Sequence, residues 1–148
     1  MRHFFICVFL LIISKVAVSQ SKQDTLAIKQ AALDYIESQH QPNSSRMERA
    51  LHPRMVKRTF WKDKATNKDY VRETSTESMI LLAESFNKKG DKFPSNPKKE
   101  IKLLDISERT ASIKLIADEW IDYTHLVKLN GIWKIINVLW EYNDVKQH

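Results

Sequence analysis

Asn130-Gly131 stands between two runs rich in β-branched and aromatic residues, and this pair constrains the fold more than any other feature of the chain. The runs are Asp122-Tyr-Thr-His-Leu-Val-Lys-Leu129 and Ile132-Trp-Lys-Ile-Ile-Asn-Val-Leu-Trp140. Both turn residues tolerate positive φ, so residues 121–140 are expected to form one long antiparallel hairpin. Two registers are open, and a slip of one residue sends every side chain to the other face. With a plain two-residue turn, Lys128 opposes Trp133 and Val127 opposes Lys134, which mixes charge and bulk on both faces. With a three-residue loop, Leu129 and Asn130 form a type I turn, Gly131 is the bulge, Val127 opposes Trp133 and His125 opposes Ile135. The faces then sort. Ile121, Tyr123, His125, Val127, Trp133, Ile135, Asn137 and Leu139 share one, while Lys128 and Lys134 share the other with Leu126, Ile136, Val138 and Trp140. We favour this second register. It gathers Tyr123, His125 and Asn137 into a polar cluster on an apolar surface, the usual furnishing of a ligand pocket. The competing account makes them core polar groups satisfied by one another or by water. Asp122 falls on the opposite parity.

The chain opens on Met1-Arg-His, continues with ten apolar residues from Phe4 to Ile13, and reaches the small residues Ala17-Val-Ser19. This pattern is that of a secretory signal peptide, residues 1–19, with the mature domain spanning 20–148. Ten apolar residues fall short of the roughly 20 that span a bilayer, so no membrane association is expected after cleavage. An exported protein, periplasmic or secreted, follows. Its single cysteine, Cys7, lies inside the signal, so the mature chain has no disulfide to rely on and must hold together through its core. The 24 bases and 18 acids give a net charge of +6, and loss of Arg2 and Lys15 leaves +4. The densest bases, Lys88, Lys89, Lys92, Lys98 and Lys99, surround Gly90, Pro94 and Pro97 in an expected loop. A solvated loop of this kind is no basic stripe, and nucleic acid is not an expected partner.

Ile28, Ala31, Ala32, Tyr35 and Ile36 recur at helical spacing and predict an amphipathic first helix between Asp24 and Gln39. Ser45-Arg-Met-Glu48 reads as a capping box opening a short second helix, which Pro53 should end by His52. Met55 to Trp61 reads as a strand, and Lys62 to Thr74 stays ambiguous. Thr74-Ser-Thr-Glu77 reads as a second capping box, and Met79, Ala83 and Phe86 give the third helix its apolar stripe. Two alternating runs, Lys99 to Ile106 and Ala111 to Trp120, then lead into the hairpin. Helices segregated from a run of strands predict an α+β domain. The sheet face bearing Leu126, Ile136, Val138 and Trp140 would then need a cover, and a homodimer packed sheet to sheet supplies one.

Ser45-Arg-Met-Glu-Arg-Ala-Leu-His-Pro53, Val56-Lys-Arg58 and the hairpin through Glu141 resemble the putative lumazine-binding family of the nuclear transport factor 2-like (NTF2-like, or SnoaL-like) superfamily, over roughly Leu26 to Tyr142. The resemblance implies a cone-shaped NTF2-like fold, with three N-terminal helices packed on a curved antiparallel sheet around an internal cavity. It also implies that Tyr123, His125 and Asn137 face that cavity, that the first helix contributes Tyr35, and that His52 lies near it. The superfamily also hosts ketosteroid isomerase, scytalone dehydratase and polyketide cyclases, so the fold decides no chemistry.

The sequence-based expectation is therefore a binding module for a small hydrophobic or aromatic ligand, held by Tyr35, His52, Tyr123, His125, Asn137 and a stacking Trp133. The alternatives are a lyase or isomerase using His125 with Tyr123 or Asn137, and a domain that docks another protein on its apolar sheet face. No cofactor is implied. His40, His52, His125 and His148 show no metal-ligand spacing, and Glu119 and Glu141, opposed at the far end of the hairpin, are read as a hydrated strand end. Asn43-Ser44-Ser45 matches a glycosylation acceptor but reads more simply as a turn.

Overall fold

The computed structural model describes residues 22–144; the expected signal peptide, residues 1–19, and His148 lie outside them. Helix α1 (residues 22–40) and helix α2 (Ser44–Ala50) come first, then strands β1 (Leu51–Lys62) and β2 (Asp69–Ser75), helix α3 (Thr76–Ser85), and strands β3 (Glu100–Ile106), β4 (Thr110–Ile116), β5 (Trp120–Leu129) and β6 (Ile132–Tyr142). All six strands form one sheet in the order β2-β1-β6-β5-β4-β3. The ambiguous polar segment after Lys62 thus holds the edge strand β2, whose partner is β1.

The sheet is mixed rather than wholly antiparallel, because β1 runs parallel to β6. The crossover through α3 separates the β1-β2 hairpin from the meander β3 to β6, and the meander returns to β1 pointing the same way. Pro53, which has no N–H for a ladder, falls where the β1-β6 register shifts between Leu51 and Val56. Both helix caps shift from the expected positions, that of α2 two residues earlier and that of α3 one residue later. Asn43, not Ser45, caps α2 by accepting the Arg46 N–H at 2.9 Å. Ser75 caps α3.

The α1 stripe packs as its spacing predicts: Ile28, Ala32, Tyr35 and Ile36 are buried with Ile113, Leu115, Leu126, Ile135 and Val138 of the sheet. Charged pairs lock α1 to its neighbours. Arg46 Nε and Arg49 Nε each donate to the Asp34 carboxylate at 2.8 Å, Arg46 also bonds Glu37, and Lys99 Nζ donates to Glu37 at 2.6 Å.

The hairpin register is where the sequence-based expectation fails. Asn130 (φ 51°) and Gly131 (φ 79°) are both left-handed, so the turn is the two-residue kind and not a type I turn with a bulge. Lys128 pairs with Trp133 and Val127 with Lys134. The faces sort by another device. His125 pairs with Asn137 and Leu126 with Ile135, so Ile136 is an extra residue in β6 that shifts the register midway along the strand. Toward the helices point Trp120, Asp122, Thr124, Leu126 and, across from them, Trp133, Ile135 and Val138, all buried. Tyr123, His125 and Leu139 are exposed on the opposite face.

This reverses the assigned faces. Leu126 (1% exposed) and Val138 (0%) cannot form an outer interface, and Trp140 packs against the core. The lysines are tied as well. Lys128 Nζ reaches Asp24 on α1 at 2.6 Å, and Lys134 Nζ donates to the Arg49 carbonyl, at 2.6 Å, near the C-terminal end of α2. Glu141 pairs with Ile121, so it does not oppose Glu119.

Candidate functional site

Alternation along β1 carries Met55, Lys57 and Thr59 to the helix-covered face, and all three are buried. A lysine in this row is costly unless it finds partners, because desolvation penalises an ammonium heavily. Lys57 Nζ donates to the Tyr35 hydroxyl at 2.7 Å and lies 3.5 Å from Asp122 Oδ1. Three rings surround it, with centroids at 4.9 Å (Trp140), 5.4 Å (Tyr35) and 5.8 Å (Trp120), close enough for cation–π attraction.

The cluster borders a partly open cavity of about 230 Å³. Its walls come from Gln39 of α1, Lys57 and Thr59 of β1, Arg72 and Thr74 of β2, Met79, Leu82 and Phe86 at α3, Glu119 and Trp120 at the β4-β5 corner, and Trp140 and Tyr142 of β6. The walls are flat aromatic and aliphatic surfaces, with cations, hydroxyls and an amide at fixed points. Such a lining suits a planar molecule with polar edges.

Beneath it, the electrostatics are unusual. Neither oxygen of the buried Asp122 carboxylate accepts a hydrogen bond of good geometry from the described residues, and the Trp120 Nε1 donor is likewise buried and unpaired. Burial raises the Asp122 pKa above the usual carboxylate range against the pull of Lys57. Burial also lowers the Lys57 pKa, which Asp122 opposes, and burial with the neighbouring Asp122 raises the Tyr35 hydroxyl well above 10.0.

Of the residues expected at the site, only Tyr35 belongs to this cluster. Trp133 is buried away from the cavity, its Nε1 donating to Asp24 at 3.0 Å. Tyr123, His125 and Asn137 sit on the outer face of the sheet, so His125 is not an inward base. His52 and His125 do meet, along an outer groove of about 470 Å³ that also includes Asp105, Ser112 and Ile136. Asn137 holds His125 in place there. Arg58 donates to Asn137 Oδ1 at 3.0 Å, which turns the amide nitrogen toward His125 Nδ1 at 3.2 Å. Of the expected cluster, His125 and Asn137 touch, on the outer face, while Tyr123 pairs with Leu139.

Lys57, Asp122, Arg72 and Trp120 went unread, and the signal for three of them was the turn. A type I′ Asn-Gly register with one inserted residue in β6 puts Asp122 and Trp120 inward, and β1 alternation about Met55 then places Lys57. Nothing local marks Arg72.

Solved structures define the class. An NTF2-like protein of unknown function from Silicibacter pomeroyi DSS-3 superposes with a TM-score of 0.64 at 11% identity, covering 83% of this chain and 98% of its own. Another from Shewanella baltica OS155 gives 0.62 at 18% identity over 82% and 95%, and one from Methylobacillus flagellatus KT gives 0.62 at 19% over 82% and 94%. The fold is thus α+β and NTF2-like. Residues 23–141 match the model of the family described as "Putative lumazine-binding", and the chain belongs to that family. No curated protein matches it at a significant level.

Proposed function

We propose that the protein is an exported binding module that holds a small planar molecule in the helix-covered cavity, its polar edge against Lys57 and its ring against Trp120 and Trp140. The observation that carries this reading is the ammonium–phenol–carboxylate cluster of Lys57, Tyr35 and Asp122, built where an aliphatic layer would have been cheaper. Family membership supports a small ligand as well, since the family's description is of lumazine binding. The ligand is flat and carries hydrogen-bond acceptors, matching the lysine, threonine and amide donors on the walls.

Native mass spectrometry of the purified mature protein, paired with tryptophan fluorescence, tests this. A planar aromatic ligand should co-purify or quench Trp120 and Trp140 saturably, and Trp140→Ala should weaken binding by about tenfold or more, a loss of 1–3 kcal/mol for one stacking surface. Saturable quenching that Trp140→Ala leaves intact would place the ligand elsewhere. Export belongs to the same proposal on the strength of Arg2, the Phe4 to Ile13 run and Ala17-Val-Ser19. Protein recovered from outside the cytoplasm should begin at Gln20, and an intact Met1 on that material would refute cleavage.

A further inference from the structure

We infer that Lys57 is an amine nucleophile and that the cavity captures small planar aldehydes or ketones as an imine on its Nζ. The inference rests on the cavity reading above and names the ligand class for the same site.

Three observations converge on it. A lysine present only to neutralise Asp122 would sit at 2.7–2.9 Å from a carboxylate oxygen, as charge-assisted hydrogen bonds do. Here the closest partner of Nζ is instead the Tyr35 hydroxyl at 2.7 Å, and the carboxylate stands back at 3.5 Å, accepting no hydrogen bond of good geometry from the described residues. The amine is held but not saturated. Second, Lys57 is itself part of the cavity wall, flanked by Trp120 and Trp140, so a planar carbonyl compound stacked there brings its reactive carbon to the nitrogen. Third, burial disfavours both charges of the pair, lowering the Lys57 pKa and raising that of Asp122 against their mutual attraction. A desolvated lysine in an apolar pocket is the form in which this side chain attacks carbonyls at neutral pH.

The step balances without any further reagent. Lys57 passes one proton to Asp122, and the nitrogen lone pair forms a bond to the carbonyl carbon while the C=O π pair moves to oxygen. That oxygen takes the proton from Asp122 and the nitrogen returns one to the carboxylate, giving a carbinolamine. Asp122 returns its proton to the hydroxyl, which leaves as water as the nitrogen lone pair closes the C=N bond, giving a protonated imine beside the carboxylate. The sum is carbonyl plus amine giving imine plus water, with nothing oxidised or reduced. Tyr35 holds the nitrogen in line throughout.

The test exposes the mature protein briefly to 2-naphthaldehyde with sodium cyanoborohydride and maps the modified lysines. The isosteric alcohol 2-naphthalenemethanol, which has no carbonyl, serves as competitor. One naphthylmethyl group should appear on Lys57 about tenfold faster than on any other lysine, the alcohol should suppress it, and Lys57→Arg should lose it. Labelling confined to exposed lysines, indifferent to the alcohol, overturns the imine. If the alcohol still quenches tryptophan saturably in that case, the cavity reading survives; if it does not, both readings fall. Protection of Lys57 by the alcohol is read on the unmodified sequence, so it stands whether or not Lys57→Arg folds.

Discussion

His40 shows how one side chain can tie stability to pH. Its ring is buried edge-on against Phe93 with centroids 4.4 Å apart, and neither nitrogen has a hydrogen-bond partner among the described residues. Burial holds its pKa below 6.5, with Lys99 acting in the same direction and Asp118 and Glu37 opposing. A base whose folded pKa is depressed binds its proton more readily unfolded, so stability is lost as pH falls below 6.5. His40→Phe removes that loss. In urea denaturation at pH 7.5 and pH 5.5 the native protein should weaken on acidification, while the variant should weaken less and match or exceed the native protein at pH 5.5. A variant that loses stability equally at both pH values would show that the imidazole is doing something other than filling space. Below about pH 4.5 a second loss follows from the acidic side. Lys99 and Arg46 hold Glu37 below its ordinary 4.5 despite burial, so its contribution is complete above that value and fades as pH falls through the lowered pKa.

At the scale of elements, the β5-β6 hairpin divides what was legible from what was not. Its existence, its turn dipeptide and its strand limits follow from Asn130-Gly131 and the flanking β-formers. So do the α1 stripe and the third helix, whose apolar residues are repeated at a period that packing enforces. Which face the hairpin buries was not legible, because the answer rests on one inserted residue. A bulge at Ile136 leaves no mark in composition, and with the strand treated as uniform the three-residue loop sorts the faces while the true two-residue turn mixes them. The site was lost with the register: Asp122 and Trp120 share a parity, and Tyr123 and His125 share the other. Deleting Ile136 tests this directly. The deletion joins Ile135, which faces inward, to Asn137, which faces outward, so an unbroken ladder keeps Val138 and Trp140 on the buried side and removes only the extra residue. The expected outcome is a variant that still unfolds cooperatively by circular dichroism with a native-like Tm; loss of cooperative unfolding would contradict the bulge.

For the whole molecule, the sheet still has an outer face to account for, though not with the residues first assigned. An apolar stripe crosses four strands there: Val71 (65% exposed) pairs with Phe60 (45%), and Leu139 (54%), beside Arg58 of β1, pairs with Tyr123 (39%). We propose that a second copy of the chain covers this stripe, on the face opposite to the one from which the sequence led us to expect a dimer. Multi-angle scattering should report a dimer that Leu139→Glu converts to a folded monomer, since a buried unpaired carboxylate disrupts an interface by several kcal/mol. Identical masses for the two proteins would discard the pairing.

The tie from Asp24 to Lys128 and Trp133 fixes the start of α1 beside the tip of the hairpin, whereas Tyr142, at the end of β6, is itself part of the cavity wall. The two extremities of the domain are therefore unequal anchoring points. An affinity handle or a surface attachment joined ahead of α1 starts from the hairpin tip, away from the residues that line the chamber, whereas β6 itself ends among them.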